Sequence, residues 1–146
     1  RWARGIAAVL KPGGRFACIE FHPLLSIFDE SWRPAEDYFS RQPHSYAQGI
    51  GDYVAASGDA LTPMGYQAGE HEFINPHPSH EFHWTVGDLV QSLVDAGLVL
   101  EVLREYPYAN GARLFERMRR LDGNRWAPPA GVPSLPLMLG LRTRRT

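Results

Sequence analysis

The sequence predicts an α/β domain built on a doubly wound sheet, and three observations predict it. Arg15–Phe21 is a short run with apolar residues on both faces, an amphipathic helical pattern starts at Thr85, and Leu98–Tyr106 is a second strand-like run. A strand, a crossover containing a helix and a further strand form the repeating unit of such a sheet. With 146 residues and 44% hydrophobic side chains, the chain has the size of one domain and enough apolar material for a core.

The elements follow in order. Trp2, Ile6, Val9 and Leu10 recur at helical spacing among Ala3, Ala7 and Ala8, and Lys11-Pro12-Gly13-Gly14 stops that helix. The chain thus opens at Arg1 already in a helical pattern, without a methionine, as a cut sequence does. Arg15–Phe21 then reads as a parallel strand covered on both sides. From 24 to 84 the periodicity fails, and only Gly51-Asp52-Tyr53-Val54 and Glu72-Phe73-Ile74 look strand-like, so this stretch is expected to be an insertion with local structure of its own.

Thr85 is a good N-cap for a helix carrying Val86, Leu89, Val90, Leu93 and Val94 on one face, with Gly97 as its stop. Pro107 ends the strand Leu98–Tyr106. Residues 112–121 are expected to form a short amphipathic helix through Leu114, Phe115, Met118 and Leu121. A proline-rich link follows, and 135–143 reads as the last strand.

Charge and composition exclude several classes of function. Fifteen basic and 16 acidic residues give a formal net charge of −1, with no global field to draw in nucleic acid or anionic membrane. Cys18 is the only cysteine, which rules out an intrachain disulfide and a cysteine-built zinc site. No apolar run approaches the roughly 20 residues that span a bilayer, and the N-terminus lacks a signal pattern, so the cytoplasm is the expected compartment.

Helix, Leu10-Lys11-Pro12-Gly13-Gly14, buried strand ending in Glu20, insertion, helix, strand, link and terminal strand: this order resembles the C-terminal half of class I S-adenosylmethionine-dependent methyltransferases. The runs from Phe82-His83-Trp84-Thr85 to Gly97-Leu98, Glu105-Tyr106-Pro107 and Pro136-Leu137-Met138-Leu139 look like a bacterial small-molecule branch of that family. The resemblance implies a single partial domain over 1–146 with a Rossmann-like sheet. In it Arg15–Phe21 and Leu98–Tyr106 run parallel, the last strand lies antiparallel between them, and 24–84 forms a lid. It also implies methyl transfer from S-adenosylmethionine to a small-molecule acceptor. The glycine-rich turn and the acidic residue that hold the cofactor belong to the first half of the family's fold, and no equivalent stands here: Gly49 and Gly51 follow a polar, aromatic stretch and lead into no helix. The chain by itself is therefore expected to bind the cofactor poorly, and its cofactor-binding residues stay unassigned.

Ligands of open α/β sheets lie beyond the carboxyl ends of the strands. Glu20 and His22 at the end of the first strand are thus the candidate catalytic residues, with His22 as the base; the alternative is a polar strand end paired with the insertion's backbone. His80, His83, Trp84 and Tyr106 are the candidate substrate-binding residues. Methyl transfer is an in-line displacement that needs alignment, exclusion of water and at most a base. The density of His71, His77, His80 and His83 beside Glu70, Glu72 and Glu81 invites a metal reading, but Pro76 and Pro78 prevent a helical ligand pair and ordinary insertion histidines are the better account. Two rival functions remain open, a non-catalytic interaction domain and a histidine-based metal hydrolase. No nucleic acid or membrane partner is expected, whereas an open edge at Phe16, Cys18 and Ile19 is expected to promote self-association.

Overall fold

The first helix, α1 (Trp2–Val9), ends where Leu10 turns extended, and the chain reverses through Gly13 at φ +74° and Gly14. A Cβ on Gly14 would stand 2.7 Å from the Lys11 carbonyl oxygen, so this turn needs glycine at both positions. In the computed structural model, which describes residues 1–49, 51–52, 69–111 and 113–146, the turn feeds β1 (Arg15–Phe21). Next come a 3-10 turn (Pro23–Ile27), β2 (His44–Tyr46), β3 (Ser79–Glu81), α2 (Val86–Asp95) and β4 (Leu98–Tyr106). The chain finishes with β5 (Ala109–Asn110), β6 (Arg119–Leu121), β7 (Arg125–Ala127) and β8 (Met138–Arg145).

The main sheet has the order β1-β8-β4. The last strand pairs antiparallel with both neighbours, from Arg15↔Arg144 to Phe21↔Met138 on one side and from Leu98↔Arg145 to Tyr106↔Met138 on the other. β1 and β4 therefore point the same way without touching, and among the described residues every ladder is antiparallel. The expected last strand, 135–143, is displaced: pairing runs over Met138–Arg145, because Pro136 has no N–H to donate and the Leu137 N–H goes to the Tyr106 carbonyl at 2.7 Å.

Between Leu100 and Val102 the β4 register shifts, leaving Glu101 as a bulge. Directly opposed residues share a face. One face therefore carries Phe16, Cys18, Glu20, Leu139, Leu141, Thr143, Leu100, Leu103 and Glu105; the other carries Arg15, Ala17, Ile19, Phe21, Gly140, Arg142, Arg144, Val99, Val102, Arg104 and Tyr106. Both helices pack on the first face. Ala3, Leu93, Leu98 and Leu141 are buried there, with Ile6, Leu10, Phe16, Cys18, Leu89 and Leu100 against them. The expectation that β1 is covered on both sides is not met: none of its residues is fully buried and Ile19 is 65% exposed, because no described element packs on the second face.

α2 starts as its sequence requires. The Thr85 Oγ1 accepts from the Asp88 N–H at 3.1 Å, and the Asp88 carboxylate takes the Thr85 N–H at 3.1 Å and its hydroxyl at 2.6 Å. These bonds, the hydroxyl foremost, hold the Asp88 carboxyl below its ordinary range. Thr85→Ala is expected to cost about 1 kcal/mol in urea unfolding, the usual worth of such a cap.

Beyond the carboxyl ends of β1 and β4 lies a second core, in which Leu25, Trp32, Ala109, Met118 and Leu137 are buried with Leu114, Phe115, Trp126, Val132 and Leu135 around them. It rests on a small sheet of order β5-β7-β6. The helix expected over 112–121 is absent from the described part of that range, where β6 is found instead. Leu114, Phe115 and Met118 reach the cap core from irregular chain ahead of β6, and β6, which contains Leu121, is held by a hairpin whose Gly123 and Asn124 both have positive φ. In the insertion, Glu72-Phe73-Ile74 forms no strand, Glu72 lying in a turn and Phe73 and Ile74 in irregular chain, and Tyr53 and Val54 fall outside the described residues.

Candidate functional site

β1 hands the chain to the insertion at His22, which is 5% exposed and fixed from three sides. Its N–H donates to the Leu137 carbonyl at 3.0 Å, tying it to the stretch entering β8. Its Nδ1 accepts the Leu24 N–H at 3.0 Å, capping the 3-10 turn. Its Nε2 lies 2.9 Å from the Glu105 Oε1. Because Leu24 can only donate, Nδ1 carries the lone pair and Nε2 the proton, which it gives to the carboxylate.

That geometry changes the part expected of His22. A ring whose only free lone pair already accepts a backbone N–H is not available as a base, and the pairing with the insertion's backbone left open above is the one observed. The group that His22 presents is Glu105, whose side chain is 57% exposed. Glu20, also exposed, sits on the same face in register with Leu139, and Glu105 stands on Leu139's other side. The two carboxylate-bearing positions are thus two strand spacings apart, about 10 Å at the backbone. Glu20 Oε1 lies 3.8 Å from the Cys18 Sγ, and burial, then that carboxylate, pushes the Cys18 thiol up from its ordinary value.

Tyr106 stands on the other face. Its ring covers Gly140, where an added Cβ would be 3.1 Å from Cε2, and it leans on Tyr108 with ring centres 5.7 Å apart. His80, His83 and Trp84 belong to a clasp between two parts of the insertion. His80 Nδ1 is 2.9 Å from the Ser45 Oγ, the His83 ring stacks on His44 at 4.5 Å, and the Arg41 guanidinium lies 5.4 Å from the centre of the half-exposed Trp84 ring. Arg41 also pairs with Asp88, and the Tyr38 hydroxyl accepts the Val86 N–H at 3.0 Å, so the clasp is fastened to the start of α2.

Burial, then the neighbouring His44, holds His83 below its ordinary value near 6.5, against the opposing pull of Glu81 and Glu36. The folded chain therefore favours the neutral ring: its contribution is complete above about 6.5 and is lost as pH falls through the lowered folded value. Among the described residues no hydrogen bond or ring contact joins this clasp to His22, and no three His, Cys, Asp or Glu side chains gather in metal-holding geometry. A groove of about 520 Å³ is lined by Pro107, Arg119, Leu121, Val132 and their neighbours in the cap and includes none of the candidate residues.

Among the described residues the glycines argue against a cofactor cradle. The Gly13-Gly14 turn lies at the amino end of β1, away from the ligand side of the sheet. Gly49 is packed inside the insertion, where a Cβ would stand 2.4 Å from the Asn75 side-chain nitrogen and 2.5 Å from the His77 carbonyl oxygen. The described residues do not fit S-adenosylmethionine as its principal holders.

Among solved structures, the fold is similar to that of a Listeria monocytogenes protein assigned as an S-adenosylmethionine-dependent methyltransferase. The TM-score is 0.53 and the identity 15%, over 99% of this chain and 53% of the other. An S-adenosylmethionine-dependent methyltransferase from Mesorhizobium loti gives 0.49 and 17%, over 98% of this chain and 53% of its own. No protein-family model and no curated protein matches the sequence. The chain thus has a fold similar to that of the Listeria structure, and it spans about half the length of the structures it is similar to. Among the described residues no helix is long and apolar enough to cross a membrane.

Proposed function

We propose that this chain is the acceptor-side part of an S-adenosylmethionine-dependent methyltransferase acting on a small molecule. The observation that carries the reading is the β1-β8-β4 order with the last strand antiparallel between two like-directed strands, in a fold similar to that of the Listeria structure at a TM-score of 0.53 over 99% of the chain. The cofactor, held mainly by parts of the protein outside this chain, would supply an electrophilic methyl group. Glu105, aimed by the His22 Nε2–H, takes the acceptor's proton, and Glu20 lines the opposite side of Leu139. The clasp of His80, His83 and Trp84 closes the insertion over this end of the sheet and keeps water from the acceptor.

The test is a calorimetric titration of S-adenosylmethionine into the intact protein, followed by turnover of Glu105→Gln. Binding by the intact protein is expected, and in the variant a fall in turnover of about tenfold or more at unchanged cofactor affinity, the usual scale of a general base. Failure of the intact protein to bind the sulfonium would end the methyltransferase reading. A variant that loses cofactor affinity but keeps its turnover would remove Glu105 from the acceptor side.

A further inference from the structure

The outer face of the small cap sheet carries a groove that the proposed reaction does not use. In the β5-β7-β6 ladders Arg119 opposes Ala127, Leu121 opposes Arg125 and Asn110 opposes Arg125, so these residues share one face. Ala109 and Trp126 stand on the other face, in the cap core. The groove, of about 520 Å³, runs along the first of these faces. Leu121 and the buried Ala127 belong to its lining, with Pro107, Pro128, Pro129 and Val132 beside them. Its size falls within the roughly 300–1,000 Å³ of small-molecule sites.

Arg119 is the one charged residue of that lining among the described residues. Its Nε donates to the Pro128 carbonyl at 3.2 Å, which ties the guanidinium to the wall of the groove and leaves its two terminal nitrogens as a fork. Among the described residues it forms no ion pair. Arg125 is engaged elsewhere: its Nε donates to the Asp122 carbonyl at 2.9 Å and its guanidinium lies 4.9 Å from the centre of the Tyr108 ring. Residues 113–125 hold five arginines against Glu116 and Asp122, so the local field is positive on a chain whose formal net charge is −1.

We infer that this groove binds a small monocarboxylate with an apolar body, its carboxylate on the Arg119 fork and its body along Leu121, Ala127 and Val132. Two parallel donors match the two oxygens of one carboxylate, and a single unpaired guanidinium matches a single negative charge. The prolines of the lining have no N–H to offer, so the remainder of the groove suits hydrocarbon rather than a second polar group. The site includes neither Glu105 nor His22, and the inference does not depend on methyl transfer.

The test titrates four probes into the 146-residue chain by calorimetry: octanoate, octylamine, acetate and a hexapeptide ending in leucine. Octanoate is expected to bind about tenfold or more tighter than octylamine, which has the same body and the opposite charge, and than acetate, which has the charge without the body. Arg119→Gln is expected to weaken octanoate about tenfold or more and to leave octylamine no weaker. Ala130→Trp, at an exposed position of the lining, keeps the charge but fills the groove, and is expected to abolish octanoate binding. Circular dichroism should be unchanged in both variants. Equal affinity for octanoate and octylamine, acetate as tight as octanoate, the hexapeptide tighter than octanoate, no binding of any probe, or an octanoate affinity indifferent to either substitution would each overturn the inference.

Discussion

Leu93→Ala is expected to cost about 3 kcal/mol, within the 2–5 kcal/mol usual for truncating a buried leucine, and to lower the melting temperature by roughly 10 °C. Leu93 is 1% exposed on α2, in the cluster that joins both helices to Leu98 on β4 and Leu141 on β8. Removing its isobutyl group takes away the transfer free energy and leaves a space that neither the helix nor the central strand can easily close. Val94, next on the same helix and 47% exposed, supplies the comparison: Val94→Ala should change stability by no more than about 0.5 kcal/mol. Urea unfolding followed by circular dichroism measures both, and similar losses in the two variants would mean that α2 is not held by this cluster.

The same pattern of apolar residues made the helix and two of the strands legible in the sequence. Thr85 and Gly97 bracket α2, and β1 and β4 have the ends their flanking residues predict. The order of the three strands came from the family resemblance rather than from periodicity, since a strand's neighbours are not written in its own residues.

The candidate site was only partly legible, and the bulge at Glu101 explains much of the difference. Alternation counted straight along β4 puts Leu98, Leu100, Val102, Arg104 and Tyr106 on one face, which makes Tyr106 the apparent partner of the β1 end. One extra residue at Glu101 exchanges the faces beyond it, sends Tyr106 over Gly140 and brings Glu105 to His22. His22 was singled out by its position at a strand end, but its capping of Leu24 depends on the 3-10 turn, which Pro23 favours without revealing its register. The cap had a readable signal, Asp122-Gly123-Asn124 between short apolar-containing runs, yet Leu114, Phe115, Met118 and Leu121 also fit helical spacing. Helix and hairpin compete for such a stretch, and packing of Met118 with Trp32 and Leu137 favours the hairpin.

Leu137→Ala is the companion test, with an expected cost of about 3 kcal/mol but a different signature. Leu137 is fully buried, in a cluster that shares no residue with that of Leu93, so the two losses should add. It stands where the cap meets the sheet, its side chain among Leu25, Trp32, Ala109 and Met118 and its backbone between β1 and β4. Alanine keeps the backbone bonds, the Leu137 carbonyl to the His22 N–H and the Leu137 N–H to the Tyr106 carbonyl, so the strand ends stay joined and His22 keeps Glu105. The damage is confined to the cap core, which should then melt ahead of the sheet. Trp32 and Trp126 both belong to that core, whereas Trp2 packs on Phe16 at the sheet and Trp84 is exposed. Tryptophan fluorescence of Leu137→Ala should therefore change at lower urea than the far-ultraviolet circular dichroism, while in Leu93→Ala the sheet signal moves down at least as far as the fluorescence. Coincident transitions at an unshifted midpoint in Leu137→Ala would show that the cap does not depend on this side chain, and with it would fall the view that Leu137 couples the cap to the strand ends beneath the candidate site.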